Sequence, residues 1–585
     1  MSDHATAAAL FAADKVGEAL LLGRQLLAEQ GPQVALLELM AFCHLRLGDP
    51  LQAISCWQQA ITLQPEDADL WYNLALLLQE QRQDAQAEQA FCQAIARRSG
   101  YAAAYNNLGV LWLRQQRAAE AEQAFRRALS LAADYAGALQ NLAILLQRER
   151  RFAEAEESFR QLLRLQPERA EVHNTLGLLL HEQRRFAEAE QAFRQAIALQ
   201  PEQADYCNNL GLLLQDCRQT EAAEALFRHV LFRQPECVGA YCNLGNLLKE
   251  LRRDAEAESL YRQALQHAPD AVEARWNLSL LQLAQGRFAE GWPGYETRHH
   301  PHKQARQTLP IEAPFPFWQG EPLRGKSLLI LPEQGFGDQI QFCRYVASLR
   351  AMGVGWVTLV CRAPLRALFA SLAGVDRVWV EGQEGPYPPH DFWTFYLSLP
   401  LHCGTTLATI PAQVPYLTAP AERLASWSAR LPAQGFRVGL VWKGNPQDAN
   451  DADRSLPGLA LLAPLWSVPG VRFVSLQKGS GEEEAGHPPP EQPLLALGQM
   501  FQDFADTAAV VLQLDLVISI DSAVVHLAGA LGKPCWVLLP AWETDWRWLR
   551  DRTDSPWYPG LRLFRQKDGW PDLIQQVTEA LREHA

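Results

Sequence analysis

Two stretches of the 585-residue chain carry side chains whose types and spacing could do chemistry. In the first, residues 327–331 form an apolar run of strand length. Pro332 to Gly337 follows with Gly335 and Gly337, and from Gln339 onward Ile340, Phe342 and Tyr345 recur at helical spacing. A strand that turns through glycines into a helix presents backbone N–H groups and the positive end of a helix dipole. Asp338 stands at that point, at the mouth of an α/β sheet where ligands bind. A carboxylate there stays ionised, which suits a general base or a group that orients a hydroxyl. Asp338 also forms a capping-box-like pair with Gln341, a purely structural role that can coexist with the chemical one.

In the second stretch, Asp521 ends an apolar strand and Ser522 to Leu531 reads as a helix. The first N–H groups of that helix, at Ser522, Ala523 and Val524, are candidates to hold a phosphate. Lys443 and Arg454 follow a strand at 437–442, and Lys478 follows one at 471–476, so positive charge can be added from one rim. His526 fits packing or a ligand contact equally well. Asp521 fits a structural role or a ligand contact better than a second base.

A chain of this length needs several cores. Its net charge of −13 argues against a nucleic-acid partner. No apolar run is long enough to cross a bilayer, and Met1 to Leu22 lacks a basic region before its apolar stretch, so a cytoplasmic location is expected. The 11 cysteines are scattered, without metal-ligand spacing, and read as free thiols; no metal site is expected.

The first half is periodic. Prolines at 65, 167, 201, 235 and 269 are separated by multiples of 34 residues, about the period of a helix-pair repeat. The same register carries Leu74 through Leu278, Ala87 through Ala257, and Phe91 through Phe227 with Tyr261. Small residues at 75, 109, 143, 177, 211 and 245 let two helices approach, and the aromatic fills the space beside them. These columns resemble the tetratricopeptide repeat, in seven full units over 34–271 with 1–33 as a degenerate cap and 272–298 as a partial last unit. Glu/Arg/Gln-rich runs such as 149–157 read as solvated helix faces. One column is polar: Asn73, Asn107, Asn141, Asn209, Asn243 and Asn277, interrupted by Thr175. It resembles the asparagine ladder of protein O-GlcNAc transferases, which implies that these carboxamides hold the backbone of a peptide acceptor on the concave face. The alternative is that each asparagine bonds its neighbouring repeat.

Residues 299–325, rich in proline and histidine (His299, His300, His302), read as an extended, solvated linker. Beyond it, strands expected at 327–331, 356–361 and 376–380 alternate with helices at 339–352 and 363–373. A helix at 420–431 leads to strands at 437–442, 471–476, 515–520 and 535–539. The blocks Gly-Phe-Gly-Asp (335–338), Trp-Lys-Gly-Asn-Pro (442–446), Asp-Arg-Ser (453–455), Ser-Leu-Gln-Lys-Gly (475–479) and the run 521–534 resemble the heptosyltransferase-like (family 9-type) glycosyltransferases, in the branch fused to tetratricopeptide repeats. That resemblance implies a repeat solenoid over 1–298, the linker, and a GT-B pair of Rossmann-like domains at 326–419 and 420–585, facing a cleft. It implies Asp338 as the catalytic residue of a metal-independent enzyme. Donor contacts would come from Gly335 and Gly337 on one side, and from Lys443, Asn445, Arg454, Gln477, Lys478, Asp521, Ser522, Ala523 and His526 on the other. The third glycine of a dinucleotide fingerprint is missing, which disfavours a dehydrogenase. Of Trp542, Trp546, Trp548 and Trp557, most are expected in the core and one could stack on a nucleotide base.

The leading expectation is a bacterial glycosyltransferase that moves a sugar from a nucleotide donor, with no cofactor, to a serine or threonine of a protein held by the repeats, such as a flagellar or surface protein. Two alternatives stand beside it. One is a lipopolysaccharide or exopolysaccharide transferase, for which Arg344, Arg350, Arg362 and Arg366 could form a basic membrane-facing patch. The other is a repeat scaffold with an inactive transferase half.

Overall fold

The computed structural model describes residues 3–300, 314–382, 385–448 and 451–585. The chain divides into two compact units, Met1–Gln234 and Pro235–Ala585.

The first unit is all-helical: seven helix pairs, from Asp3–Ala12 with Val16–Gln30 to Ala204–Asp216 with Thr220–Arg233. Residues 1–33, expected as a degenerate cap, thus contribute a helix pair of their own. Each pair turns through one left-handed residue, at Asp14, Gly48, Arg82, Gln116, Arg150, Arg184 and Arg218, again 34 apart. Small residues where the helices cross are a steric requirement: a Cβ on Gly177 would lie 2.7 Å from the ring of Phe193. The glutamate-rich faces are less solvated than expected. Arg117, Arg151 and Arg185, each just before the second helix of its pair, reach back 29 residues to Glu88, Glu122 and Glu156 at 3.0, 2.7 and 2.5 Å. The side chain of Glu156 is only 8% exposed, so this second ladder is drawn between repeats, where only a paired charge is tolerated.

The second unit begins with two more helix pairs, Val238–Glu250 with Asp254–His267 and Val272–Ala284 with Phe288–Tyr295. Two wholly parallel sheets follow. In the first, β1 (Ser327–Leu331), β2 (Trp356–Cys361), β3 (Arg377–Val380) and β4 (Phe392–Phe395) lie in the order β3-β2-β1-β4. In the second, β5 (Phe436–Val441), β6 (Val471–Ser475), β7 (Leu495–Ala496), β8 (Leu516–Ile520), β9 (Cys535–Leu539) and β10 (Leu561–Arg565) lie in the order β10-β9-β8-β5-β6-β7. Every residue of β8 and β9 is buried, as expected of parallel strands covered on both faces.

Several expectations need correction. The helix foreseen at 339–352 is two, Phe336–Phe342 and Tyr345–Ala351, and the one at 363–373 shrinks to short turns. The described part of the linker is exposed along most of its length, as expected, but it is anchored to the fold at two buried side chains, Trp318 and Leu323. Trp318 is fully buried, and residues 316–318 pair with Trp393, adding to the edge of the first sheet through N–H···O bonds of 2.8 and 3.1 Å. Partly buried Phe315 and Phe317 and buried Trp318 anchor this extended segment to the fold. His299 stacks on Phe395 with ring centroids 4.7 Å apart, and burial pushes its pKa down to about 3. His302 and Pro310 lie outside the described residues. Of the basic patch, Arg344 is 3% exposed and donates to the carbonyl of Trp557 (2.6 Å) and the hydroxyl of Tyr416 (2.9 Å). Arg350 donates to the carbonyls of Gly374 and Val354 and pairs with Asp376. Arg344 is buried inside the fold and Arg350 is paired with Asp376, so neither presents a free surface charge to a membrane.

Candidate functional site

The loop after β1 and the helix Ala523–Ala530 after β8 meet, so the C-terminal ends of strands from both sheets converge. Gly337 lies against the second helix: a Cβ there would be 2.8 Å from Cδ2 of His526 and 3.5 Å from Cα of Ala523. Helix Phe336–Phe342 starts one turn earlier than the sequence implied, with Gly335 as its cap, and Asp338 is therefore its third residue. From there the carboxylate reaches back to the N–H of Gly335, the acidic half of a capping box. Gln341 is not its partner; its Oε1 accepts from Nε of Arg547 at 2.8 Å.

Arg547 organises the cluster. Its Nη2 bonds Oδ1 of Asp338, and Nη1 bonds both oxygens of Asp545 at 3.1 and 3.0 Å. The Arg547 and Asp338 side chains are 7% and 17% exposed. Burial raises the pKa of Asp338 above its ordinary value, the charge of Arg547 opposes that rise, and Asp545 adds to it. Asp521 accepts from the indole N–H of Trp548 at 2.9 Å, and burial pushes its pKa up to about 6, with Asp545 adding to the rise and Arg454 and Arg547 opposing it. His526 donates or accepts at the Tyr558 hydroxyl (3.1 Å) and stacks on Trp548 at 5.6 Å. Burial, then the charges of Arg547 and Arg344, drive its pKa well down, so it is a neutral imidazole. Three carboxylates and two guanidiniums thus interact within one partly buried network.

The remaining candidates serve loops of the second sheet. Arg454 holds Asp448 at 2.5 Å and Asp451 at 3.3 Å and is within electrostatic reach of Asp521. Ser522 caps its helix by accepting from the N–H of Val524. Gln477 is a clamp: Oε1 accepts from the N–H groups of Trp442 and Lys443 (2.9 and 3.0 Å), and Nε2 donates to the carbonyls of Lys443 and Ser480. Lys443 and Lys478 direct their ammonium groups to carbonyls, of Pro457 (2.7 Å) and of Gly498 and Phe501 (3.1 and 2.9 Å). Asn445 closes a turn onto the N–H of Gln447. Trp546, Trp548 and Trp557 are buried. Among the described residues no group of three or more His, Cys, Asp or Glu is placed to hold a metal ion.

In the helical pairs, three members of the asparagine column bond backward by 35 residues. Asn107 donates to the Tyr72 hydroxyl at 2.8 Å, and Asn141 and Asn209 donate to Asn106 and Asn174 at 2.9 Å. At Asn277 the residue 35 positions back is Cys242, and the buried Nδ2 of Asn277 has no hydrogen-bond partner among the described residues.

Comparison with known proteins finds the tetratricopeptide repeat over residues 44–101, 75–136, 141–204, 208–266 and 242–291. The helical half is built of tetratricopeptide repeats. Protein FlbA of Caulobacter vibrioides is 32% identical over 333 residues, covering 52% of this chain, which spans about half (54%) of that relative's length. Among solved structures, PilF of Pseudomonas aeruginosa is similar at 26% identity over 34% of this chain and 86% of its own (TM-score 0.28). YrrB, described as a repeat protein with an unusual peptide-binding site, is 21% identical over 32% of this chain and 96% of its own (TM-score 0.28).

Arg547 is the residue that sequence reasoning missed. Its signal was present: an arginine between two tryptophans and two residues after an aspartate, in the connection leaving a strand. The tryptophans of that segment drew attention as core residues, and the charge between them did not.

Proposed function

We propose that the α/β part is a nucleotide-sugar-dependent glycosyltransferase of GT-B type and that the tetratricopeptide array presents its protein acceptor. What supports the first half is one observation: Gly337 packs against Ala523 and His526, which sets Asp338 beside the N-terminus of the helix that follows Asp521. In this reading the N–H groups at Ser522 and Ala523, with Arg454, hold the donor diphosphate, where a helix dipole favours negative charge; the Val524 N–H is taken by the Ser522 cap. Asp338 takes the proton from the acceptor hydroxyl as it attacks the sugar, and the bond to the nucleotide diphosphate breaks. The raised pKa of Asp338 suits a base that must hold a proton briefly.

The protein-acceptor half rests on the repeats themselves, which are protein-binding devices. A saccharide acceptor is the second reading. It is favoured by the amide donors of Asn107, Asn141 and Asn209 being already engaged between repeats.

A screen of nucleoside diphosphates by thermal shift, followed by transfer assays with the matching sugar nucleotide, tests the proposal. A binding nucleotide raises the midpoint by mass action. Asp338→Asn is expected to lower transfer about 100-fold or more, as for a lost general base, with donor binding retained. Normal turnover in Asp338→Asn would remove the aspartate from the chemistry, and an unmoved midpoint with every nucleotide would remove the donor.

A further inference from the structure

We propose that Arg547 is the positioning residue for Asp338, and that the repeat array holds Arg547 in place through the segment 541–551. The proposal rests on the reading of Asp338 as the base.

The segment connects β9 to β10 and is gripped at both ends by helices Val238–Glu250 and Asp254–His267. At its start, the N–H of Glu543 donates to Oε2 of Glu250 at 2.9 Å. At its end, Arg550 pairs with Asp254 at 3.4 Å and donates to the carbonyl of Lys249, while Asp551 pairs with Arg252 at 2.5 Å. Between these grips the backbone is unusual. Glu543, Leu549 and Asp551 all have positive φ, of 54, 54 and 52°. Non-glycine residues hold such angles at a cost, and they persist where surrounding contacts over-determine them. The grips from the array are such contacts.

Arg547 sits in the middle of this strained span and has little freedom. Its guanidinium bonds Gln341, Asp545 and Asp338 and lies over the rings of Trp546 and Phe342 at 4.6 and 5.5 Å. Trp546 is in turn wedged among Trp292 and Tyr295 of the last helical pair, with ring centroids 5.3 and 5.8 Å away. The array therefore touches the segment at its start, middle and end, and Asp338 receives the result. Displacement of helices 238–267 by an acceptor moves the group that orients and charges the base. The charged and titratable groups facing Asp338 come from three elements. Arg547 and Asp545 lie on the segment and Tyr295 comes from the last repeat, while Asp521 and His526, from the β8 side, act through the same Arg547, with the His526 ring packed against Gly337.

The test is a pH–rate profile on the full chain, with hydrogen exchange of residues 336–342 measured beside it. Arg547 favours the ionised form of Asp338. Arg547→Gln should therefore move the acid limb of kcat upward by about one unit or more, with donor KM within about twofold, the limit for a residue that does not bind donor. Arg547→Lys, which keeps the charge, should leave the limb in place. Glu250→Ala combined with Asp254→Ala, remote from the chemistry, should move the limb in the same direction by less and speed exchange in 336–342. An equal loss at every pH for the Gln and Lys variants would overturn the positioning role. Unchanged exchange and an unchanged limb in the double variant would overturn the coupling to the array. If Asp338→Asn turns over normally, the base reading falls by itself, while the exchange measurement still decides whether the array holds this loop.

Discussion

Replacing Asp521 by asparagine is expected to stabilise the second unit at neutral pH and to do nothing in acid. The Asp521 carboxyl has its pKa raised from 3.8 to about 6, first by burial and then by Asp545. Between those values the folded chain binds more protons than the unfolded chain. Stability contributed by this group is therefore full below pH 4 and is lost as pH rises through 6. A shift of about two units corresponds to about 3 kcal/mol, and the partial exposure of the residue reduces this to about 1–3 kcal/mol. Asparagine cannot ionise, yet its carbonyl still accepts from the Trp548 indole. The two guanidiniums that lose a charge partner are not orphaned: Arg454 keeps Asp448 and Asp451, and Arg547 keeps Asp338 and Asp545. Urea unfolding followed by intrinsic fluorescence reads the right unit, because only Trp57, Trp71 and Trp112 of the 18 tryptophans lie before residue 235. The expected result is a gain of about 1–3 kcal/mol for Asp521→Asn at pH 7.5 that falls to about a third of its size at pH 4.5 and toward zero below pH 4. A gain equal at both pH values, or a loss at pH 7.5, would refute the argument that the desolvation of the Asp521 carboxylate outweighs its partners.

Two further outcomes follow from backbone geometry. Arg184 is exposed and left-handed (φ 59°) at the turn of its pair, so Arg184→Gly should raise the stability of the first unit by about 0.5–1 kcal/mol in urea unfolding; destabilisation would mean that its side chain matters more than its φ. Gly337→Ala would drive a methyl to 2.8 Å from the hydrogen-bonded His526 ring, so a loss of about 1–3 kcal/mol is expected together with faster exchange in 336–342 and 523–530; a wild-type melting curve would show that the two loops do not need their close approach.

The periodic part of this molecule was legible because its information is local and repeated. A leucine, a small residue, an alanine and an aromatic at a 34-residue spacing can be satisfied only by helix pairs that stack, and the buried Phe91, Phe125, Phe159 and Phe193 occupy the positions the columns assign them. Apolar runs likewise marked β1, β2, β8 and β9, since strands covered on both faces are apolar throughout. Strands β4 and β10 passed unnoticed because aromatic or alternating segments of four or five residues also occur in loops, and only pairing with β1 and β9 makes them strands. Tertiary structure alone decided what the polar groups do. The asparagine column reads the same whether its donors point at a guest or at the repeat behind; a helix offset that brings residues 35 apart into contact chose the latter for Asn141 and Asn209. Nor does anything near Asp338 in the chain announce Arg547, 209 residues away. Charges buried from water must find partners, and which partners they find is set by the packing of distant elements.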